Sequence, residues 1–293
     1  MNSVTSAAHA TCYADQAVQA TVPVVENRAL ARDTFRLRLE CPEIARRVLP
    51  GQFLMLRLPG VNDPLLGRPF ALYDTAHAAD GQPFGVDVVY LVKGKFTRRL
   101  AEAMPGESLV VWGPLGNGFP PAPTDHLIMV AGGIGQTPFL ALAQESLGRK
   151  RYGEPLRSVP VAGRVTLCYG VRTADLLAGV EDFARLGVAV CLATEDGSVG
   201  RRGLVSDVLR EVLSATGRPR RIVACGPEPM LQAVAGIAQA SGTPCQVSLE
   251  TPMACGIGIC FTCVARIKDA SGGWDYKRTC VEGPVFDAEL VEW

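Results

Sequence analysis

The run Cys255-Gly256-Ile257-Gly258-Ile259-Cys260-Phe261-Thr262-Cys263, followed after sixteen residues by Cys280, constrains this chain more than any other feature. Its C-x4-C-x2-C…C spacing is that of four-thiolate [2Fe–2S] ligation. Three sulfurs converge only if a tight loop wraps the cluster. Gly256 and Gly258 let the backbone approach where side chains would intrude. Ile257, Ile259 and Phe261 are expected to shield the cluster from water and so help set its potential. A four-cysteine zinc site normally pairs two short C-x2-4-C knuckles, whereas here three cysteines stand on one side and one on the other. Structural disulfides suit small secreted domains, and nothing secretory is visible. The iron–sulfur reading prevails.

At 293 residues the chain is long for one compact core and implies two or three domains. The 29 basic and 29 acidic residues cancel, so neither a nucleic acid nor an anionic membrane has electrostatic support as a partner. The first twenty residues lack the basic start and apolar run of an export signal. No window approaches the roughly eighteen uninterrupted apolar residues of a membrane span. Ten cysteines without such a signal imply a reducing compartment, and the cytoplasm is expected. Six of them (Cys12, Cys41, Cys168, Cys191, Cys225 and Cys245) lie outside the motif, several in apolar strand-like runs where Cys serves as a small buried hydrophobe.

Residues 20–122 read as an antiparallel β-barrel or sandwich. Positions 34–39 alternate as Thr-Phe-Arg-Leu-Arg-Leu, 52–58 and 86–92 are further strands, and turn signals recur at Pro59-Gly60, Asp80-Gly81 and Pro105-Gly106. A short helix is expected over 97–103. From residue 123 to 245 the texture becomes strand–helix alternation, which implies a parallel sheet with crossover helices. Strands are expected at 126–131, 165–169, 188–193 and 221–224, with helices at 139–147, 174–186, 203–213 and 228–240. The insert 149–164 reads as a surface loop. A last strand at 246–250 opens a small C-terminal iron–sulfur domain, 246–293.

Ala131-Gly132-Gly133-Ile134-Gly135-Gln136-Thr137-Pro138 joins a strand to a helix, where free N–H groups and a positive dipole end suit a pyrophosphate. It departs from the strict G-x-G-x-x-G fingerprint, and a plain tight connection remains open on this segment alone. Cys225-Gly226-Pro227 ends the last parallel strand, and ligands of such sheets bind beyond the strands' carboxyl ends. Cys225 would then sit near a nicotinamide, or serve as a packed thiol. Arg68-Pro69-Phe70-Ala71 offers a guanidinium fork to a phosphate and an extended backbone to a flat ring, though a surface salt bridge explains an Arg-Pro pair equally well.

The order of these motifs resembles the ferredoxin–NADP reductase superfamily. The cysteine loop, Lys277-Arg278-Thr279-Cys280-Val281-Glu282-Gly283-Pro284, Gly113-Pro114-Leu115-Gly116-Asn117-Gly118-Phe119 and Thr194-Glu195-Asp196-Gly197 together are similar to the electron-transfer subunits of type B dihydroorotate dehydrogenases, over roughly residues 20–290. That resemblance implies an FAD domain (20–122), an NAD domain (123–245) and a [2Fe–2S] domain. It implies FAD contacts from Arg68, Pro69, Phe70 and Ala71, from Val89, Tyr90 and Leu91, and from Phe96 and Thr97. NAD contacts would come from Gly132, Gly133, Gly135, Thr137, Cys225, Gly226 and Pro227, and cluster ligation from Cys255, Cys260, Cys263 and Cys280. Two positions depart from the family pattern: Ala71 stands where a Ser is usual, and Phe96 where a Gly is usual. The resemblance implies an oxidoreductase relay through FAD and the cluster between NAD(H) and an FMN-bearing catalytic subunit, in a heterotetramer serving pyrimidine biosynthesis. The alternative is a reductase module of another NAD(P)H-dependent complex. No acid–base catalytic residue and no orotate site are visible in the chain itself.

NADP would need basic groups near its 2′-phosphate, for which Arg172 and Arg201-Arg202 are candidates; NAD favours an acidic group near the ribose, and Glu195-Asp196 follow a strand. The resemblance decides for NAD. Steady-state reduction of a dye should therefore show a higher kcat/KM with NADH than with NADPH, and the reverse order would reject the assignment.

Overall fold

The computed structural model describes residues 13–215, Gly217 and residues 220–293. Cys12 lies outside the described residues. Six antiparallel strands form a closed barrel: β1 (Val18–Ala31), β2 (Thr34–Glu40), β3 (Phe53–Arg57), β4 (Arg68–His77), β5 (Pro83–Leu91) and β6 (Ser108–Leu115), in the order β1-β2-β5-β4-β3-β6. Helices α1 (Pro42–Arg47) and α2 (Lys95–Ala101) lie between them in sequence. The alternation seen at 34–39 works as expected, with Leu37 and Leu39 sealed in the barrel core.

Asp87 on β5 is 3% exposed and accepts Arg38 Nε and Nη2 at 2.7 Å each, a planar fork across paired strands. Cross-strand Arg36 adds a second positive group at 3.9 Å.

A seven-stranded sheet follows. Its strands are β7 (His126–Gly132), β8 (Arg164–Val171), β9 (Ala189–Thr194), β10 (Arg201–Arg202), β11 (Arg220–Cys225), β12 (Cys245–Ser248) and β15 (Val285–Asp287), in the order β10-β9-β8-β7-β11-β12-β15. All pair in parallel except β15, which runs antiparallel to β12. Every residue of central β7 is buried, as a strand covered on both faces requires. The crossover helices are α3 (Phe139–Ser146), α4 (Val180–Arg185), α5 (Val205–Ala215) and α6 (Glu228–Ala240). Between β12 and β15 the chain forms the cysteine loop and a hairpin, β13 (Val264–Lys268) and β14 (Trp274–Arg278). The barrel and parallel sheet confirm the expected fold class, and the C-terminal segment returns a strand to the sheet.

Three local expectations change. The helix expected over 174–186 is a single 3-10 turn, Ala174–Leu176, followed by α4. Gly179 breaks it with φ +70°, because Tyr73 of the barrel arrives there to donate to Asp182 at 2.7 Å; a Cβ on Gly179 would lie 2.4 Å from that phenol oxygen. The helix expected at 97–103 starts two residues earlier. Thr97 acts from inside its first turn, its hydroxyl accepting Lys93 N–H at 2.8 Å and Gly94 N–H at 3.0 Å. The insert 149–164 is docked rather than loose: Lys150 Nζ reaches Asp74 at 2.6 Å, and buried Tyr152 donates to the same carboxylate at 2.8 Å.

Asp87→Ala should cost about 2–4 kcal/mol of stability in denaturant unfolding, somewhat below the loss at a wholly buried pair because Arg38 remains partly open to water. A change under about 0.5 kcal/mol, the usual scale of surface substitutions, would show that the fork adds nothing.

Candidate functional site

The cysteine loop lies on the barrel wall. Gly256 (φ +73°) presses on β3 and β6 so closely that a Cβ there would lie 2.7 Å from Met55 Cγ and 3.0 Å from Leu115 Cδ1. At Gly258 (φ +85°) a Cβ would lie 2.6 Å from Val281 Cγ2. Both glycines are thus required twice, by conformation and by space. Trp112 Nε1 donates to the Cys255 carbonyl at 2.9 Å, fixing the loop to β6. Asn117 ties the barrel's last turn to the returning chain: its amide donates to Val285 O at 2.8 Å and its carbonyl accepts Val285 N–H at 3.1 Å. Arg278 holds the loop's far side, donating to Gly258 O at 3.0 Å and pairing with Glu282 at 2.9 Å. Trp112 belongs to no motif, and Asn117 and Arg278 stand in motifs that do not reveal their tethering contacts, so sequence reading passed over these roles.

Two of the thiols lie together: Cys263 Sγ and Cys280 Sγ are 3.1 Å apart and buried, the bond from Cys280 holding Cys263 down to about 6 and the same bond together with burial pushing Cys280 up. Cys260, exposed, is held down to about 6 chiefly by Thr262, with Cys255 also hydrogen-bonded to it. No trio of metal-binding side chains converges on one point among the described residues. Three thiols on one loop and a fourth on the segment that returns beside it suit a binuclear cluster better than one zinc ion. Ile257, Ile259 and Phe261 do not cover the thiols as expected. Ile259 and Phe261 are 74% and 63% exposed, because the φ > 0 residues Gly256, Gly258 and Phe261 turn the loop's side chains outward.

One strand away lies the arginine segment. On β4, Pro69 and Ala71 pair with Met55 and Phe53 of β3, the strand whose Met55 touches Gly256. Arg68 is exposed at the strand's start, its guanidinium donating to Leu66 O and Gly67 O at 3.0 Å. Phe70 packs inside the barrel against Tyr90 and Phe96. Phe96 is 2% exposed, so its ring adds bulk to the barrel core rather than to a cofactor surface, and only its backbone can meet a ligand. Tyr90 likewise turns inward, its hydroxyl bonded to Asn27 at 3.0 Å, while Val89 faces the parallel sheet with Tyr73 and Phe119; Leu91 is half-buried. The Thr97 hydroxyl serves its own helix.

At the sheet's carboxyl edge, β7 and β11 end side by side. A Cβ on Gly135 would meet Cys225 O at 2.2 Å, and one on Gly132 would meet Met230 Sδ at 2.6 Å. These two glycines answer to chain packing; only Gly133, exposed at φ +57° with open space around it, leaves room for a ligand. Thr137 is buried, Gly226 is packed against Met230 and Gly132, and Pro227 is exposed at the start of α6. Burial, then the charge of Glu250, pushes the Cys225 thiol up to about 12, which disfavours its thiolate. Glu195 and Asp196 stand exposed beyond β9, with Asp196 accepting Ser198 N–H and Oγ–H. Arg172 is exposed beyond β8, and Arg201 is paired with Glu211.

Comparison with known proteins covers the same three regions. Residues 21–119 match an oxidoreductase FAD-binding domain, 129–236 an oxidoreductase NAD-binding domain, and 250–292 the iron-sulfur cluster binding domain of dihydroorotate dehydrogenase B. Among solved structures, an NADH-dependent reduced ferredoxin-NADP oxidoreductase described for flavin-based electron bifurcation superposes with a TM-score of 0.77 at 28% identity, over 94% of this chain and 90% of that one. An Amycolatopsis cytochrome P450 reductase, at 24% identity and TM-score 0.61, shares the fold. The dihydroorotate dehydrogenase B (NAD(+)) electron transfer subunit of Caldanaerobacter subterraneus subsp. tengcongensis is 35% identical over 92% of this chain and 96% of its own length. That of Geobacillus kaustophilus is also 35% identical, with the same coverage. Matched nearly end to end by these relatives, the chain belongs to the family of dihydroorotate dehydrogenase B electron transfer subunits.

Proposed function

We propose that the chain relays electrons between NAD(H) and a partner dehydrogenase that oxidises dihydroorotate to orotate in pyrimidine biosynthesis. The spacing of the sites carries this reading: a single strand, β3, separates the proposed flavin segment on β4 from the thiol loop, and neighbouring strands lie only about 4.8 Å apart. When bound, NAD(H) supplies hydride exchange, FAD links two-electron to one-electron exchange, and the cluster supplies single-electron transfer. Cys255 and Cys260 would hold one iron, and Cys263 and Cys280 the other. Met55, Leu115 and Trp112 form the wall behind the loop and exclude water from the path between β4 and the thiols. Arg68 would turn from its loop carbonyls to an FAD phosphate, while the backbone of Pro69 to Ala71 and of Val89 to Leu91 lines the ring. Gly133 and the turn around it would take the NAD pyrophosphate, with Gly226 and Pro227 beside the nicotinamide. Residues 20–122, 123–245 and 246–293 then divide the work among FAD, NAD and cluster.

The proposed partner is an FMN-bearing catalytic subunit, in a cytoplasmic heterotetramer. Exposed Ile259 and Phe261 beside exposed Cys260 support a partner surface there, since contiguous apolar exposure marks interaction sites. No described helix is long and apolar enough to cross a membrane. The superposition on the NADH-dependent ferredoxin-NADP oxidoreductase favours, as a second reading, a reductase module of another complex. The co-purifying partner distinguishes the two.

The purified protein should show flavin and cluster absorption together. In Cys260→Ser, iron and sulfide should fall by at least half while flavin stays; unchanged iron would reject Cys260 as a ligand. Arg68→Ala should weaken FAD binding by roughly ten- to a hundredfold, the worth of a charge-assisted hydrogen bond. Flavin retained as tightly as in the parent through dilution and gel filtration would remove Arg68 from the site.

A further inference from the structure

At the amino ends of the parallel strands, opposite the edge proposed for NAD, the chain forms an open cavity of about 390 Å3. Strand β11 is six residues long, so Arg220 and Cys225 at its two ends stand about 17 Å apart. Arg220 and Arg221 line the cavity, with Gln246 near the start of β12 and Asp287 at the end of β15. Arg221 is only 7% exposed, yet it forms no ion pair among the described residues. Its one hydrogen bond there goes to the neutral side-chain oxygen of Gln246. Burial pulls its guanidinium down to about 10, against the opposing pull of Asp287, so it remains a cation at neutral pH. A guanidinium taken out of water is unfavourable unless an anion and further acceptors complete it. Arg220 stands beside it, its Nε donating to Thr243 Oγ1 at 3.1 Å. Exposed Asp287 already accepts Gln246 Nε2 at 3.1 Å. Two cationic groups thus line the cavity with one carboxylate, and Ala122, Pro123 and Pro244 supply an apolar wall.

We propose that this cavity binds a small organic oxyanion, a carboxylate or phosphate on a compact apolar body, with Arg221 taking the head group. The N–H fork of a guanidinium matches two oxygens of either head group. The volume far exceeds the room a single water needs and lies within the usual range for small-molecule pockets. The apolar wall takes the body of the ligand, and Arg220 adds a second positive charge. Asp287 repels excess negative charge, so a singly or doubly charged compound suits the site better than a polyphosphate. The site stands apart from the proposed relay and needs neither of its nucleotides.

The test uses the full-length chain with its cofactors and calorimetric titration of three probes: benzoate, phenyl phosphate and inorganic phosphate. Benzoate or phenyl phosphate should bind with a Kd below about 1 mM, and the tighter of the two identifies the head group. Saturating NAD+ should leave that affinity unchanged. Arg221→Gln should weaken binding by about tenfold or more. Ala122→Trp should do the same by filling the cavity with both arginines in place, at an unaltered melting temperature. Asp287→Asn should tighten binding, and this exposed position keeps the proposal testable should the other variants fail to fold. The proposal is overturned if neither organic probe binds at about 10 mM, or if NAD+ competes with them. Binding within about threefold of the parent in folded Arg221→Gln or folded Ala122→Trp would overturn it as well, as would weaker binding in Asp287→Asn. Inorganic phosphate binding as tightly as phenyl phosphate would remove the apolar body from the assignment.

Discussion

The whole arrangement depends on the backbone of one residue, Gly256, lying against Met55 and Leu115. With φ +73° and no room for a Cβ, that contact admits only glycine without moving the loop or the barrel wall. Around it, Trp112 holds the Cys255 carbonyl, Thr279 N–H bonds Cys263 O at 2.8 Å, and the Thr251 and Thr279 hydroxyls meet at 2.5 Å. The C-terminal segment is thus braced internally, bonded to the barrel through Trp112 and Asn117, and returned to the sheet through β15. Sheet geometry then sets the spacing of the relay: neighbouring strands in a barrel cannot drift apart without breaking a ladder, so the separation between β4 and the cysteine loop is as rigid as β3 itself.

Much of this was legible in the sequence because it was written in periods and spacings. Alternation at 34–39 gave β2, continuous apolar runs gave the parallel strands, and four cysteines in one spacing marked the segment, 250–292, that matches an iron-sulfur cluster binding domain. Helix α6 was legible to the residue, since Pro227 and Glu228 open it and Gly242 follows its end. What escaped was decided by distant partners. Nothing near Gly179 signals that Tyr73, more than a hundred positions earlier, will break the helix there. The hairpin β13–β14 was passed over although Val264-Ala265-Arg266-Ile267-Lys268 alternates and Asp269 to Gly273 supplies a turn. The shielding assigned to Ile257, Ile259 and Phe261 was misplaced for a different reason: composition identifies apolar residues, but the sign of φ in the loop decides which way they face.

The glycines of the nucleotide turn show the same limit from the other side. A glycine-rich strand–helix junction invites the reading that every glycine clears space for a ligand. Here Gly132, Gly135 and Gly226 clear space for Met230, for the Cys225 carbonyl and for each other, bringing the ends of β7 and β11 together. Only Gly133 faces open space. The motif therefore builds a narrow sheet edge first, and the ligand site follows from that edge.

The barrel is tied to the elements around the parallel sheet by the hydrogen bonds of two buried phenols. Burial first, and then the negative charge of Asp182, push the Tyr73 phenol far above its ordinary range. It therefore stays protonated and donates to Asp182 at 2.7 Å. Tyr152 is raised in the same direction, also chiefly by burial, and stays bonded to Asp74, which Lys150 holds from the other side. A hydroxyl that cannot ionise, tied to a carboxylate on the facing element, acts as a fixed spacer between the two halves.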